Sequence, residues 1–243
     1  MPSERVKLIT NELYHISDRA VGDSVIFKDD DDHYRGIFSC YEFNNANPVN
    51  IWHRRVQRKK EKIEQKSLAG SDPANSNLII QERNMLVEIL VFCFMTNHIH
   101  LVLRQLKDDG ISQFMQKIGG YTTYFNEKYD RKGHLFSRFK AVHIKSNEQL
   151  RTAFIYDHIN PLSLVEPGWK ESGIKNPKKS IKFLEEEYRW SSFFDYLGKK
   201  NFSSVTKRDF LLDLMGGEKG CRQAVRDWIK YKSFKDFGDM VLE

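Results

Sequence analysis

Phe92–Arg104 reads FCFMTNHIHLVLR, an apolar run broken by two histidines one residue apart. Successive side chains of an extended strand alternate faces, so His98 and His100 project to one side and Ile99 to the other. Only MTN, residues 95–97, separates this segment from a second apolar stretch, Met85–Phe94, and the two are expected to be neighbouring strands joined by a tight turn. Two neutral imidazoles on one face form a pair of ligands for a divalent cation. The same pair also suits two structural histidines on a half-buried strand, and the triplet alone does not choose.

Outward from this pair, the chain alternates strand and helix signals. Leu8–Asp18 has the β-branched and aromatic content of a strand, and Asp30–Phe43 spaces Tyr34, Ile37, Phe38 and Tyr41 as a helix behind an aspartate cap. Downstream, Gly110–Tyr129 places Ile111, Phe114, Met115, Ile118, Tyr121 and Phe125 at helical spacing, which predicts one amphipathic helix through the Gly119-Gly120 pair. A basic loop from Asp130 leads into a strand before Lys145, and Asn147–Ile159 reads as a third helix ended by Pro161. The order strand, helix, paired strands, helix, strand, helix predicts an α+β domain over 1–165, a ferredoxin-like antiparallel sheet with helices on one face. Residues 44–84 read as an insertion: a breaker cluster, a basic helix over Arg54–Lys66 with almost no apolar face, and a loop, Gly70–Asn77. Residues 166–243 read as a C-terminal extension with a short aromatic helix, Glu185–Leu197, and a helical tail from Lys207.

Lys and Arg outnumber Asp and Glu by 39 to 33, giving a net charge of +6 and a pI near 9.0, a balance that favours a polyanionic partner. The surplus gathers in Arg54–Lys66 and Lys128–Lys145. In the second segment Phe136 and Phe139 alternate with Arg131, Lys132, Arg138 and Lys140, a mixture that can neutralise phosphates and stack bases of single-stranded nucleic acid. Two buried phenylalanines in a charged loop would give the same pattern. Cys40, Cys93 and Cys221 are too far apart for a CxxC zinc site and suggest a reducing compartment. No apolar run approaches the roughly 18 residues of a membrane span, and MPSERVKLITNELYHI lacks the apolar core of a secretory signal, so a cytoplasmic location is expected.

The third helix carries Tyr156 and Asn160, four residues apart and so on one face. A tyrosine hydroxyl is a weak nucleophile at neutral pH, but beside a cation-bound phosphate it can attack phosphorus and form a phosphotyrosine link. His98 and His100 would give such a cation two ligands, and the Asn160 oxygen a third. Against this, a tyrosine in an apolar helix is commonly a core residue and an asparagine before proline commonly a helix terminator.

FMTNHIHLVLR resembles the M-P-N-H-U-H-L motif (U apolar) of the IS200-like tyrosine transposases, especially their REP-associated branch. The likeness continues in order through LYHISDRAVGDSVIFKDDDDHY, GYTTYFNEKYDRKGHLFSRFKA, YDHINPLSL and YRWSSFFDYL, spanning Leu13 to about Leu197. The chain departs from the pattern at Thr96, where the motif has proline, in FSRFK, one residue shorter than usual around Arg138, and at Asp157 and His158 between the motif's tyrosine and asparagine.

The resemblance implies an HUH endonuclease fold and a single-stranded DNA transposase. Such an enzyme cuts near a hairpin through a 5′-phosphotyrosine intermediate and rejoins the strand elsewhere. It implies Tyr156 as nucleophile and His98, His100 and Asn160 as ligands of Mg²⁺ or Mn²⁺. Hairpin DNA would be bound through Arg104, Arg131, Lys132, His134, Arg138 and Lys140, by a monomer or homodimer associated with the nucleoid when on DNA. The competing readings are a domesticated hairpin binder without cutting activity, a rolling-circle initiator or relaxase, and a metal-dependent hydrolase.

Overall fold

The computed structural model describes residues 6–50 and 83–233, with scattered positions between 52 and 63. Most of the expected basic helix Arg54–Lys66, the loop Gly70–Asn77 and the end of the tail, 234–243, lie outside the described residues.

Four strands form one sheet: β1 (Leu13–Arg19), β2 (Val87–Phe94), β3 (His98–Gln105) and β4 (Lys140–Ile144). Their spatial order is β2-β3-β1-β4, and every pairing is antiparallel. This is the expected ferredoxin-like arrangement. β1 lies centrally because the first crossover, through α1 (Asp30–Phe43), skips a place that β3 then fills.

Alternation along each strand sorts side chains into two cores. Tyr14, Ile16, Ile99, Leu101 and Leu103 face α1, α2 (Gly110–Ile118) and α3 (Tyr121–Lys128), where Ile37, Cys40, Phe114 and Ile118 complete the first core. Gly36 of α1 has no room for a side chain, since a Cβ there would lie 2.7 Å from Phe94 and 2.8 Å from Phe27. The single helix expected over Gly110–Tyr129 is two. The chain breaks at Gly119-Gly120, where two residues of low helix propensity occur together.

The opposite face is also covered, which departs from the one-sided arrangement read from the sequence. The helix α4 (Asn147–Ile159) packs there against β2 and β3, with Phe154 and Ile159 meeting Leu90, Val91 and Val102. A register shift between Ile89 and Val91 lets two successive β2 residues join this core. The C-terminal extension shares it: Trp169, Leu184, Tyr196, Leu211, Val225 and Ile229 are buried in the same cluster. Two of its helices, α5 (Asp209–Met215) and α6 (Gly217–Lys232), pack together as the expected helical tail. The segment expected to be one aromatic helix, Glu185–Leu197, is helical at its two ends, in Phe183–Glu187 and Phe193–Tyr196, and between them follows the free edge of β2, with Phe94 N–H donating to Trp190 O at 2.9 Å and Ser192 N–H to Phe92 O at 3.0 Å. An edge strand covered in this way presents fewer unpaired backbone groups.

Asn44, read as part of a breaker cluster, ties the end of α1 to the start of β2 across the intervening segment. Its Oδ1 accepts from Leu86 N–H at 3.0 Å and Val87 N–H at 3.1 Å, and its Nδ2 donates to Val87 O at 2.8 Å. Asn44→Ala strips partners from three buried backbone groups and is expected to lower the unfolding free energy by about 2–3 kcal/mol. Urea denaturation checks this, as a lower midpoint with an unchanged m value.

Candidate active site

The His-Ile-His strand puts Ile99 in the first core and both imidazoles on the face covered by α4. His98 is half-buried and its Nδ1 lies 2.6 Å from Asn97 Oδ1. Only Nδ1–H can donate to that oxygen, so the lone pair of the neutral ring is on Nε2. His100 is buried, its ring 4.8 Å from that of His98 and nearly perpendicular to it.

α4 presents three polar side chains to this pair. Asn160, one residue past the helix end, holds its Nδ2 3.1 Å from His100 Nε2. The Tyr156 ring meets the His100 ring edge-on at 5.6 Å and the His15 ring at 6.0 Å. Asp157, fully buried, accepts from His15 Nε2 at 2.8 Å, and the same oxygen lies 3.8 Å from His100 Nδ1. That distance is too long for a hydrogen bond. His15 and His100 stack at 5.4 Å on adjacent strands. Lys170, from the short helix Trp169–Ser172, donates to the Tyr156 hydroxyl at 3.2 Å.

Electrostatics shift the two buried imidazoles in opposite directions. Burial lowers the pKa of His100 well below 6.5, and neighbouring His98, His15, Lys170 and Arg19 push it further down. It is neutral at pH 7, the form that can ligate a cation. Burial also lowers His15, but the Asp157 carboxylate outweighs it and its pKa ends above 6.5. Burial favours the protonated form of Asp157 while His15 opposes it.

The donor set fits a divalent cation. His98 and His100 line one cleft with their rings 4.8 Å apart, and an amide rotation at Asn160 would replace Nδ2 with Oδ1 beside His100 Nε2. Among the described residues the Nδ1 of His100 has no hydrogen-bond partner, and it faces Asp157, the position of a carboxylate that orients a ligating histidine. His15, His100 and Asp157 form a second, fully buried set whose ligand atoms lie within 4.8 Å of one another.

In front of His98 and His100 a cleft of about 380 Å³ is walled by Arg19, Arg138 and Lys140, with Ser17, Ser137 and Asp23. Tyr156 is not part of that wall and meets the same His100 ring from α4. The other basic residues singled out in the sequence lie elsewhere. Arg104 pairs with Glu88 at 2.7 Å, four residues along the strand from His100. Arg131 braces its own loop through Asn126, Gly133 and His134, while Lys132 and His134 are exposed. Thr96, where the motif has proline, contributes its carbonyl, which accepts from Ile26 and Phe27 N–H and which proline also carries. His158 is structural: buried, pushed down to about 3 by desolvation, and 2.9 Å from Ser192 Oγ.

His15, Arg19 and Lys170 went unnoticed in the sequence. His15 and Arg19 had a signal, since Tyr14 and Ile16 assign the core face of β1 and residues 15, 17 and 19 must share the other. Lys170 had none, lying in a basic loop fourteen positions beyond the tyrosine it touches.

The family model described as Transposase IS200 like matches residues 52–156, a span that holds His98, His100 and Tyr156. The chain thus resembles the IS200-like transposases, as its motifs indicate. No curated protein matches it significantly. Among solved structures it is similar to a REP-associated tyrosine transposase bound to a REP hairpin, with 14% identity over 86% of this chain and 93% of that one and a TM-score of 0.46. It is also similar to a bacterial tRNA(His) guanylyltransferase-like protein in complex with GTP, with 10% identity, 68% and 73% coverage and a TM-score of 0.34.

His15 and Asp157 both hold protons more tightly folded than unfolded, so their contribution to stability is greatest at low pH. The His15 part is fully present below 6.5 and lost as the pH rises through its folded value. In Asp157→Asn only burial acts on His15, and its ring is expected to titrate below 6.5. Ring-proton NMR through a pH series checks this, and an unmoved titration would contradict the pairing.

Proposed function

We propose that this chain, which resembles the IS200-like transposases over residues 52–156, cuts and rejoins single-stranded DNA near a hairpin with Tyr156 as nucleophile. One observation carries the reading: Tyr156, His100, Asn160 and Lys170 meet at one place within one chain, although three separate segments supply them.

His98, His100 and Asn160 would hold a Mg²⁺ or Mn²⁺ ion, which when bound polarises the scissile phosphate and lowers the barrier to attack. The protein's own groups do the rest. Arg19, Arg138 and Lys140 draw the phosphate backbone into the cleft. The Lys170 ammonium holds the Tyr156 oxygen and stabilises the phenolate formed when the phenolic proton leaves to water. That oxygen forms a bond to phosphorus, the P–O3′ bond breaks, and the 3′ oxygen departs and takes up a proton. The 5′ phosphate stays on Tyr156 until a second 3′-OH reverses the exchange. One phosphodiester is traded for another, so rejoining needs no external energy source. With nucleophile and ligands in one chain, a monomer holds the full site.

The test is incubation with Mn²⁺ and a single-stranded oligonucleotide bearing a hairpin from the gene's own flanks, followed by denaturing electrophoresis. A covalent protein–DNA adduct is expected, absent in Tyr156→Phe and strongly reduced in His98→Ala and His100→Ala. Lys170→Ala should slow it about 10²-fold. Tight hairpin retention without an adduct under any metal condition would make the chain a binder instead. Phosphate contacts by the three cleft cations also predict that log K falls linearly with log salt, with a slope reduced by about 0.7 in Lys140→Ala.

A further inference from the structure

The Tyr156 hydroxyl accepts from Lys170 at 3.2 Å, and the same ammonium lies 5.2 Å from the centroid of the Tyr156 ring. A lysine ammonium sits on a long flexible stem, so its place depends on the place of its backbone. That backbone belongs to the helix Trp169–Ser172, only four residues long. A single helical turn does not hold its shape in water, and tertiary contacts must fix it.

Those contacts come from the last turn of α6. Trp169 is 3% exposed and meets Trp228 edge to face at 5.5 Å, with the ring planes 79° apart. Beyond the turn, Ile174 is buried and its N–H donates to Lys232 O at 3.4 Å. The Lys232 ammonium lies 5.1 Å from the centroid of the Trp228 ring. Residues 228 and 232 stand four apart on one face of α6, so one helical ridge grips the turn on both sides of Lys170. Glycines bound the turn: Gly168 has φ 78°, and Gly173, at φ 75° and ψ 177°, adopts a conformation open essentially to glycine alone. None of these anchoring residues lines the cleft in front of His98 and His100.

We infer that Trp228 is a positioning residue for the strand exchange: through Trp169 it sets the turn that carries Lys170, and with it the ammonium at the Tyr156 oxygen. Negative charge builds on that oxygen as the phenolic proton leaves, and an ammonium at contact distance stabilises it most. A displacement of about 1 Å costs up to about 10²-fold in rate. The end of α6 therefore acts on the reaction while touching neither DNA nor the tyrosine.

The inference rests on the reading of Tyr156 as nucleophile, and two measurements keep their failures apart. The first times adduct formation with Mn²⁺ and saturating hairpin oligonucleotide. Trp228→Leu should slow it about tenfold with DNA affinity unchanged, and Trp228→Phe, which keeps an aromatic ring, should restore most of the rate. Added to Lys170→Ala, Trp228→Leu should cost less than about a further twofold, because the group it positions is already gone. Losses that multiply would make Trp228 merely structural and overturn the inference, as would an unslowed Trp228→Leu. The second measurement needs no cutting: the ¹³C resonance of Tyr156 Cζ, identified as the line missing from Tyr156→Phe. Lys170→Ala should shift it, and Trp228→Leu should shift it in the same direction. A line unmoved in Trp228→Leu overturns the inference even if the wild type cuts DNA. Expected shifts without any adduct overturn the nucleophile reading and leave the placement of Lys170 by Trp228 standing. Should Trp228→Leu not fold, Gly173→Ala, which strains the other end of the same turn, is read by both measurements with the same expected outcomes.

Discussion

The burial of a neutral imidazole at His100 is the constraint around which this molecule is arranged. An imidazole removed from water must keep its lone pair and its N–H matched to something. His100 sets Nε2 3.1 Å from Asn160 and turns Nδ1, 3.8 Å away and not hydrogen-bonded, toward Asp157, so both groups it faces come from α4 and its end. That helix must lie on the face of the sheet away from α1, and the C-terminal extension must cover its outer side. The extension is thus part of the second core, and it also delivers Lys170 to the tyrosine hydroxyl.

The His15–Asp157 contact makes this arrangement stable. A carboxylate buried beside a neutral His100 would be strongly unfavourable alone. His15, one strand over, gives it a close partner at 2.8 Å and stacks on the His100 ring. One consequence is directional. With Nδ1 turned to Asp157, Nε2 of His100 faces Asn160. Asp18 is the contrasting case on the same strand, a buried carboxyl with no cation beside it.

Much of this was legible in the sequence because alternation and helical spacing are local. The bounds of α1 and α4 and the pairing of β2 with β3 follow from apolar periodicity, and His98, His100, Tyr156 and Asn160 stand out by spacing. What was not legible depends on contacts distant in sequence. Nothing local says which sheet face α4 covers, and the break at Gly119-Gly120 reads equally as a tolerated pair within one helix. Asp157 stood out only as a departure from the motif, because its partner His15 comes from 142 residues earlier. The six basic residues were chosen by charge and motif alone. Charge cannot distinguish Arg104, paired with Glu88, or Arg131, bracing its own loop, from Arg138 and Lys140 in the cleft wall.

The central claim is that His100 works from its Nε2 side, with Asp157 behind it, and not as a member of the buried His15–His100–Asp157 set. Anomalous diffraction from crystals soaked in Mn²⁺ measures this directly. The account predicts a single strong peak bounded by His98, His100 and Asn160, on the Nε2 side of His100. A peak enclosed by His15, His100 and Asp157 would contradict it.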